Sequence, residues 1–99
     1  LERRMTDSPF KPSALQGRRV LVTGGGSGIG FEIARQLGLH GSKIVVMGRR
    51  KQILDEAVAS LVKEGIQADK FQGDVRKEED ADAAVQFVCK RFGGMDTLV

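Results

Sequence analysis

The sequence predicts an α/β fold, a doubly wound parallel sheet of which the chain carries the N-terminal half only. Three observations lead there. Short apolar runs, "RRVLVT" and "KIVVMG", alternate with segments whose apolar residues recur at helical spacing. Glycines stand where these segments meet. Strict alternation of strand and helix requires crossover connections, which pair the strands in parallel and place helices on both faces of one sheet.

Taken in order, residues 1–16 form a polar, proline-containing leader, and the fold is expected over 17–99, ending inside its fourth strand. "RRVLVT" is a strand ending at Thr23, and "GGGSGIG" is a loop rich in the residue that tolerates positive φ. From Ile29 the positions Ile29, Ile33, Ala34 and Leu37 mark a helix that "HGS" closes. "KIVVMG" is a second buried strand. Ile53, Leu54, Ala57, Val58, Leu61 and Val62 then form one apolar helical stripe, ended by Gly65. "ADKFQGD" holds a third, weaker strand. A last helix carries Ala81, Ala84, Val85, Val88 and Phe92 on one face. Glu78, Glu79 and Asp80 stand at its positive end and Gly93 follows it. "MDTLV" opens a fourth strand, expected beside the first in the order 3-2-1-4. With so little of that strand present, the first strand is expected to keep an unpaired edge and an uncovered apolar face. The 99-residue chain by itself is then not expected to fold stably.

Composition narrows the function classes. Hydrophobic residues make up 40% and charged residues 29%, an ordinary globular balance. Apolar runs are too short to span a bilayer, and the leader lacks the apolar core of a secretory signal. One cysteine and one histidine exclude a disulfide framework and a structural zinc site, so no metal is expected. The net charge of +3 is modest, tryptophan and tyrosine are absent, and the cations are scattered apart from Arg49 to Lys51. Nucleic-acid binding, which favours a basic face with stacking aromatics, is not expected.

The glycine loop is the first candidate site. Phosphate binding needs bare backbone amides, close approach of the chain and the positive end of a helix. The spacing is Gly24-x-x-x-Gly28-x-Gly30, which differs from the G-x-G-x-x-G fingerprint. A tight strand-to-helix turn explains a glycine cluster without any ligand. Its place between a clear strand and a clear helix favours a nucleotide.

The second candidate is "MGRRKQ", the cationic end of the second strand. In a doubly wound nucleotide domain this end meets the adenosine ribose. A carboxylate there binds the 2′-hydroxyl and repels a 2′-phosphate, whereas a guanidinium does the reverse with bidentate geometry. Gly48 and Arg49 occupy the place where an acid would stand. Arg50 and Lys51 also read as a solvated first helical turn, yet cations there oppose the helix dipole, a penalty that a phosphate partner would offset. NADP(H) is therefore expected over NAD(H), with Arg49 ahead of Arg50 as its ligand and Lys51 pointing to solvent.

Three motifs in order resemble the short-chain dehydrogenase/reductase family, over nearly the whole chain from Leu15. They are T-G-x-x-x-G-x-G at Thr23 to Gly30, "GDV" at Gly73-Asp74-Val75, and "FGxxDxLV" from Phe92 to Val99. The resemblance implies a Rossmann fold in which the amides of Gly24, Gly25, Gly26, Gly28, Ile29 and Gly30, with Ser27, hold the pyrophosphate and adenosine phosphate. It further implies that the Asp74 carboxylate accepts from the adenine amine while the Val75 amide faces the ring. From the residues alone, Asp74 reads as an Asx turn or a helix cap.

Longer stretches, including "GGGSGIGFEIARQLGLHG" and "VVMGRRKQILDEAV", resemble the plant-type peroxisomal 2,4-dienoyl-CoA reductases. That resemblance implies a homo-oligomeric, NADPH-dependent reductase of acyl-CoA substrates in the oxidation of unsaturated fatty acids. The alternatives are another short-chain reductase, such as one acting on 3-oxoacyl thioesters, and a non-catalytic nucleotide-binding protein. The family resemblance implies chemistry by an Asn-rich segment and a Tyr-x-x-x-Lys, or its dienoyl-CoA reductase variant, that follow the fourth strand. This chain has no tyrosine, so no catalytic residue is expected in it. Cys89 is expected in the core and His40 at a helix cap or the surface.

Overall fold

Alternation along the first two strands builds the core. In β1 (Arg19–Thr23) and β2 (Lys43–Gly48), successive side chains point to opposite faces, so each strand feeds two layers. Val20, Val22, Ile44 and Val46 pack on one face, and Leu21, Val45 and Met47 on the other. Each such fully buried side chain contributes about 1.5–3 kcal/mol. The structure, a computed structural model, describes residues 16–99, so the leader up to Leu15 lies outside the described residues.

Between the strands run α1 (Gly28–Leu39), α2 (Lys51–Lys63) and α3 (Glu78–Phe92). With β3 (Ala68–Gln72) and β4 (Thr97–Leu98) the sheet has the order β3-β2-β1-β4, and every pair is parallel. Ala34 of α1 and Leu54, Ala57 and Leu61 of α2 cover one face, whereas Ala84 and Val88 of α3 cover the other. The α2 C-terminus turns at Gly65 (φ +84°), and Ile66 folds back to donate its N–H to the Leu61 carbonyl at 3.1 Å. Ile66 then packs against Gly38 of α1, where a Cβ would lie 2.5 Å from its Cγ2.

Three expectations are corrected. The apolar stripe of α1 is only half right, because Ile29 is 80% exposed and Ile33 sits at the rim, 36% exposed. The buried arc centres on Ala34 and Gly38, and Ile33 lies roughly 100° around the axis from Ala34. Cys89 is exposed on α3, one residue and one such rotation past the buried Val88. Finally, β1 has no unpaired edge. Besides β2 it pairs with β4, where Asp96 N–H and Val99 N–H donate to the carbonyls of Arg19 (2.8 Å) and Leu21 (2.9 Å).

The edge strand β3 is weak in apolar content but held by ions on both faces. Lys70 pairs with Asp55 of α2, and Asp69 accepts from Arg91 of α3 at 3.2 Å. These pairs tie β3 to a helix on each face of the sheet.

Candidate functional site

The loop after β1 is folded tightly against the start of α1. Gly24 N–H donates to the Met47 carbonyl at 2.9 Å, and Thr23 donates through both its N–H (3.0 Å) and its Oγ1 (2.8 Å) to the Val99 carbonyl. A Cβ on Gly30 would lie 2.1 Å from the Gly24 carbonyl oxygen, so no other residue fits there. Ser27 stands at the N-cap in an extended conformation (φ −158°, ψ 167°) and its side chain makes no capping bond. No acidic residue stands in the first turn. The positive end of α1 is thus left to water or to an anion. Ser27, Gly28 and Ile29 are exposed there, beside Gly25, Gly26 and Gly30.

A cleft of about 270 Å³ opens where β2 and β3 end, lined by Met47, Gly48 and Arg49 on one side and Gly73 to Arg76 on the other, with Gly24 as the link to the loop. Two bonds set its width. Gly73 N–H donates to the Gly48 carbonyl at 2.8 Å, and Gln72 Nε2 donates to the Arg49 carbonyl at 3.1 Å.

Asp74 dominates the second wall. Its Oδ1 accepts from the Arg76 N–H (3.0 Å) and Nε (3.1 Å), and its Oδ2 accepts from Arg76 Nη2 (3.0 Å). The Asx turn read from the sequence is therefore present, closed by the Arg76 amide. Asp74's own N–H donates to Asp80 Oδ2 at 2.8 Å. The Arg76 guanidinium, helped by that amide and by the charge of Arg49, holds the Asp74 carboxyl well below its ordinary range, at about 2. The cleft thus offers an acceptor-only carboxylate on one wall and a guanidinium on the other.

The structure brings Gly24, Arg49, Asp74 and Val75 together in the cleft. Arg50 is not part of its lining. It occupies the N-cap of α2, where its carbonyl accepts from the Leu54 N–H at 3.1 Å. Lys51 is exposed and pairs with Asp55 at 3.0 Å. His40 caps α1 with its ring Nδ1 2.9 Å from the Gln36 carbonyl. Arg76 was missed by the sequence reading. Its only signal is its place two residues after an aspartate, where an Asx turn brings it back.

The loop fits a dinucleotide on grounds of its own: bare amides, a helix end without an internal counter-charge, and glycines that packing demands. Residues 18–99 match the short chain dehydrogenase family. The chain belongs to that family. This short-chain dehydrogenase chain is 57% identical, over 94% of its length, to the peroxisomal 2,4-dienoyl-CoA reductase [(3E)-enoyl-CoA-producing] of Arabidopsis thaliana, and covers 31% of that protein. Among solved structures it is similar to a short chain dehydrogenase of Burkholderia cenocepacia in complex with NADP, with a TM-score of 0.79 and 35% identity, over 85% of this chain and 35% of that one. It is also similar to the L-sorbose reductase of Gluconobacter frateurii complexed with NADPH and L-sorbose, with a TM-score of 0.80 and 37% identity, over 84% of this chain and 32% of that one. The short-chain dehydrogenase chain therefore spans about a third of the length of these relatives.

Proposed function

We propose that this chain is the cofactor-binding part of an NADPH-dependent 2,4-dienoyl-CoA reductase. The observation that carries the reading is Arg49 in the cleft at the end of β2, where a carboxylate would select an unphosphorylated ribose. In this reading the amides of Gly24 to Gly30 and the Ser27 hydroxyl hold the pyrophosphate, and Asp74 and Val75 meet the adenine. Arg49 takes the 2′-phosphate, and Arg50 adds positive field from the neighbouring N-cap. The cofactor, when bound, supplies a hydride. The site residues of this chain serve to bind and orient it. The NADP and NADPH complexes among the relatives support the cofactor. The 57% identity to the Arabidopsis thaliana enzyme supports the dienoyl-CoA substrate and a peroxisomal setting.

The test is NADPH oxidation by the whole protein, with a 2,4-dienoyl-CoA and a 3-oxoacyl-CoA in parallel. Faster turnover of the dienoyl thioester is expected. Faster turnover of the oxoacyl thioester would point to a carbonyl reductase. Tight NADPH binding without turnover of either would point to a non-catalytic nucleotide-binding protein.

A further inference from the structure

We infer that Arg76 is a positioning residue for base recognition, holding the Asp74 carboxylate so that the cleft selects a base with an amine donor. The inference rests on the dinucleotide reading above and adds to it a residue that neither the glycine loop nor the cationic strand end contains.

An ionised carboxylate has about four lone-pair positions and no donor. In Asp74, Oδ1 carries two bonds, both from Arg76, and Oδ2 carries one from the same guanidinium. One acceptor position remains, on Oδ2. A free aspartate rotates broadly about its last torsion. Here the fork of one guanidinium and the amide of the same residue fix it, and the Asp74 N–H to Asp80 bond fixes the backbone beneath. Exposure shows the division of labour: the Asp74 side chain is 16% exposed, the Arg76 side chain 72%. Both line that wall, with the carboxylate in its buried part and the arginine bracing it from the exposed side.

A fixed, acceptor-only group in that wall discriminates by sign. The exocyclic amine of adenine donates to the remaining Oδ2 position. The carbonyl of a 6-oxopurine would set oxygen against oxygen, leaving both without a donor. Without Arg76 the carboxylate turns to water, and the site loses its preference rather than its phosphate contacts.

The experiment titrates the whole protein with NADPH, NADH and the reduced hypoxanthine analogue of NADPH, reading nicotinamide fluorescence on binding. Wild type is compared with Arg76→Ala and with Arg76→Lys, which keeps the charge but not the fork. Wild type is expected to prefer NADPH to its hypoxanthine analogue by roughly tenfold or more, the scale of one charge-assisted hydrogen bond. Arg76→Ala is expected to reduce that ratio severalfold, and Arg76→Lys to restore it only in part. An unchanged ratio in Arg76→Ala overturns the inference. So does an equal loss for all three ligands, which marks a structural role, or a loss for NADPH but not NADH, which marks a phosphate contact. Absence of any base preference in wild type overturns the adenine site itself, whereas retained preference in the variants overturns only the role of Arg76.

Discussion

Arg49 and Arg50 are adjacent and chemically identical, yet only the first lines the cleft. The backbone decides between them. Gln72 holds the Arg49 carbonyl from β3, while Arg50 has turned into the α2 N-cap (φ −105°, ψ 112°). The sequence showed the cations and the missing carboxylate but could only rank the two by distance from the strand. Arg76 was less legible still. An arginine two residues past an aspartate resembles any solvated cation until the turn closes and its fork meets both carboxylate oxygens. Replacing Arg49 with Asp in the whole protein should weaken NADPH at least tenfold and leave NADH unchanged or improved. A hydrogen bond to a charged group contributes about 1.5–3 kcal/mol, and about 1.4 kcal/mol is a factor of ten. Lys51→Ala should change either cofactor little, since an exposed lysine pair such as Lys51–Asp55 contributes roughly 0–1 kcal/mol. Paired titrations check this, and an equal loss for both cofactors would assign Arg49 to the fold instead of the phosphate.

At the scale of elements, periodicity located the helices well but not the arc each one buries. The α1 pattern counted Ile29 and Ile33 as core beside Ala34 because it could not see that the buried arc runs from Ala34 to Gly38, which packs against Ile66. Small residues mark a close approach, and close approach carries little hydrophobic signal. Cys89 failed for a related reason, since one step past Val88 leaves the buried arc of α3. The glycine loop was more legible, because its demand is steric. Two of its glycines separate packing from backbone conformation. At Gly30 an added Cβ meets the Gly24 carbonyl at 2.1 Å, a backbone atom that no rotamer change can move. At Gly28 the space is open but φ is +60°. Gly30→Ala should therefore destabilise the whole protein by about 1–3 kcal/mol or more, as overpacking does, and abolish NADPH binding. Gly28→Ala should fall nearer the ~1 kcal/mol of a left-handed non-glycine residue. Denaturant midpoints, with unchanged slopes, measure the difference. Equal midpoints for the two variants would mean that the loop relaxes around the new methyl group.

Across the whole molecule, the strand order 3-2-1-4 was readable from alternation and resemblance, but the manner of attaching β4 was not. The sequence reading weighed β4 by how little of it is present, and its apolar burial is weak as well: Leu98 is 58% exposed and Val99 41%. Its hold on the sheet is polar instead. Arg19 binds Asp96 through its N–H and Nε (both 2.9 Å) and its Nη2 (3.1 Å) at one end, and Thr23 binds the Val99 carbonyl at the other. Those bonds give a pH dependence with a definite sign. The Arg19 side chain and amide lower the Asp96 carboxyl from 3.8 to about 2. A carboxyl lowered on folding stabilises the fold above its ordinary range, and that contribution is lost as pH falls through about 4 towards 2. With α1 and α2 covering one face but α3 alone the other, the 99-residue chain by itself should melt broadly, and β4 should leave first in acid. Hydrogen exchange on the isolated chain between about pH 5 and pH 2 tests this, once intrinsic rates are corrected for pH. The Thr23 and Val99 amides should lose protection while those of Ile44 and Val46 keep theirs. Asp96→Asn should give the early loss already at neutral pH and flatten the acid response. A sharp melt in which β1, β2 and β4 exchange together at every pH would show that apolar packing, not the Arg19–Asp96 bridge, holds the edge.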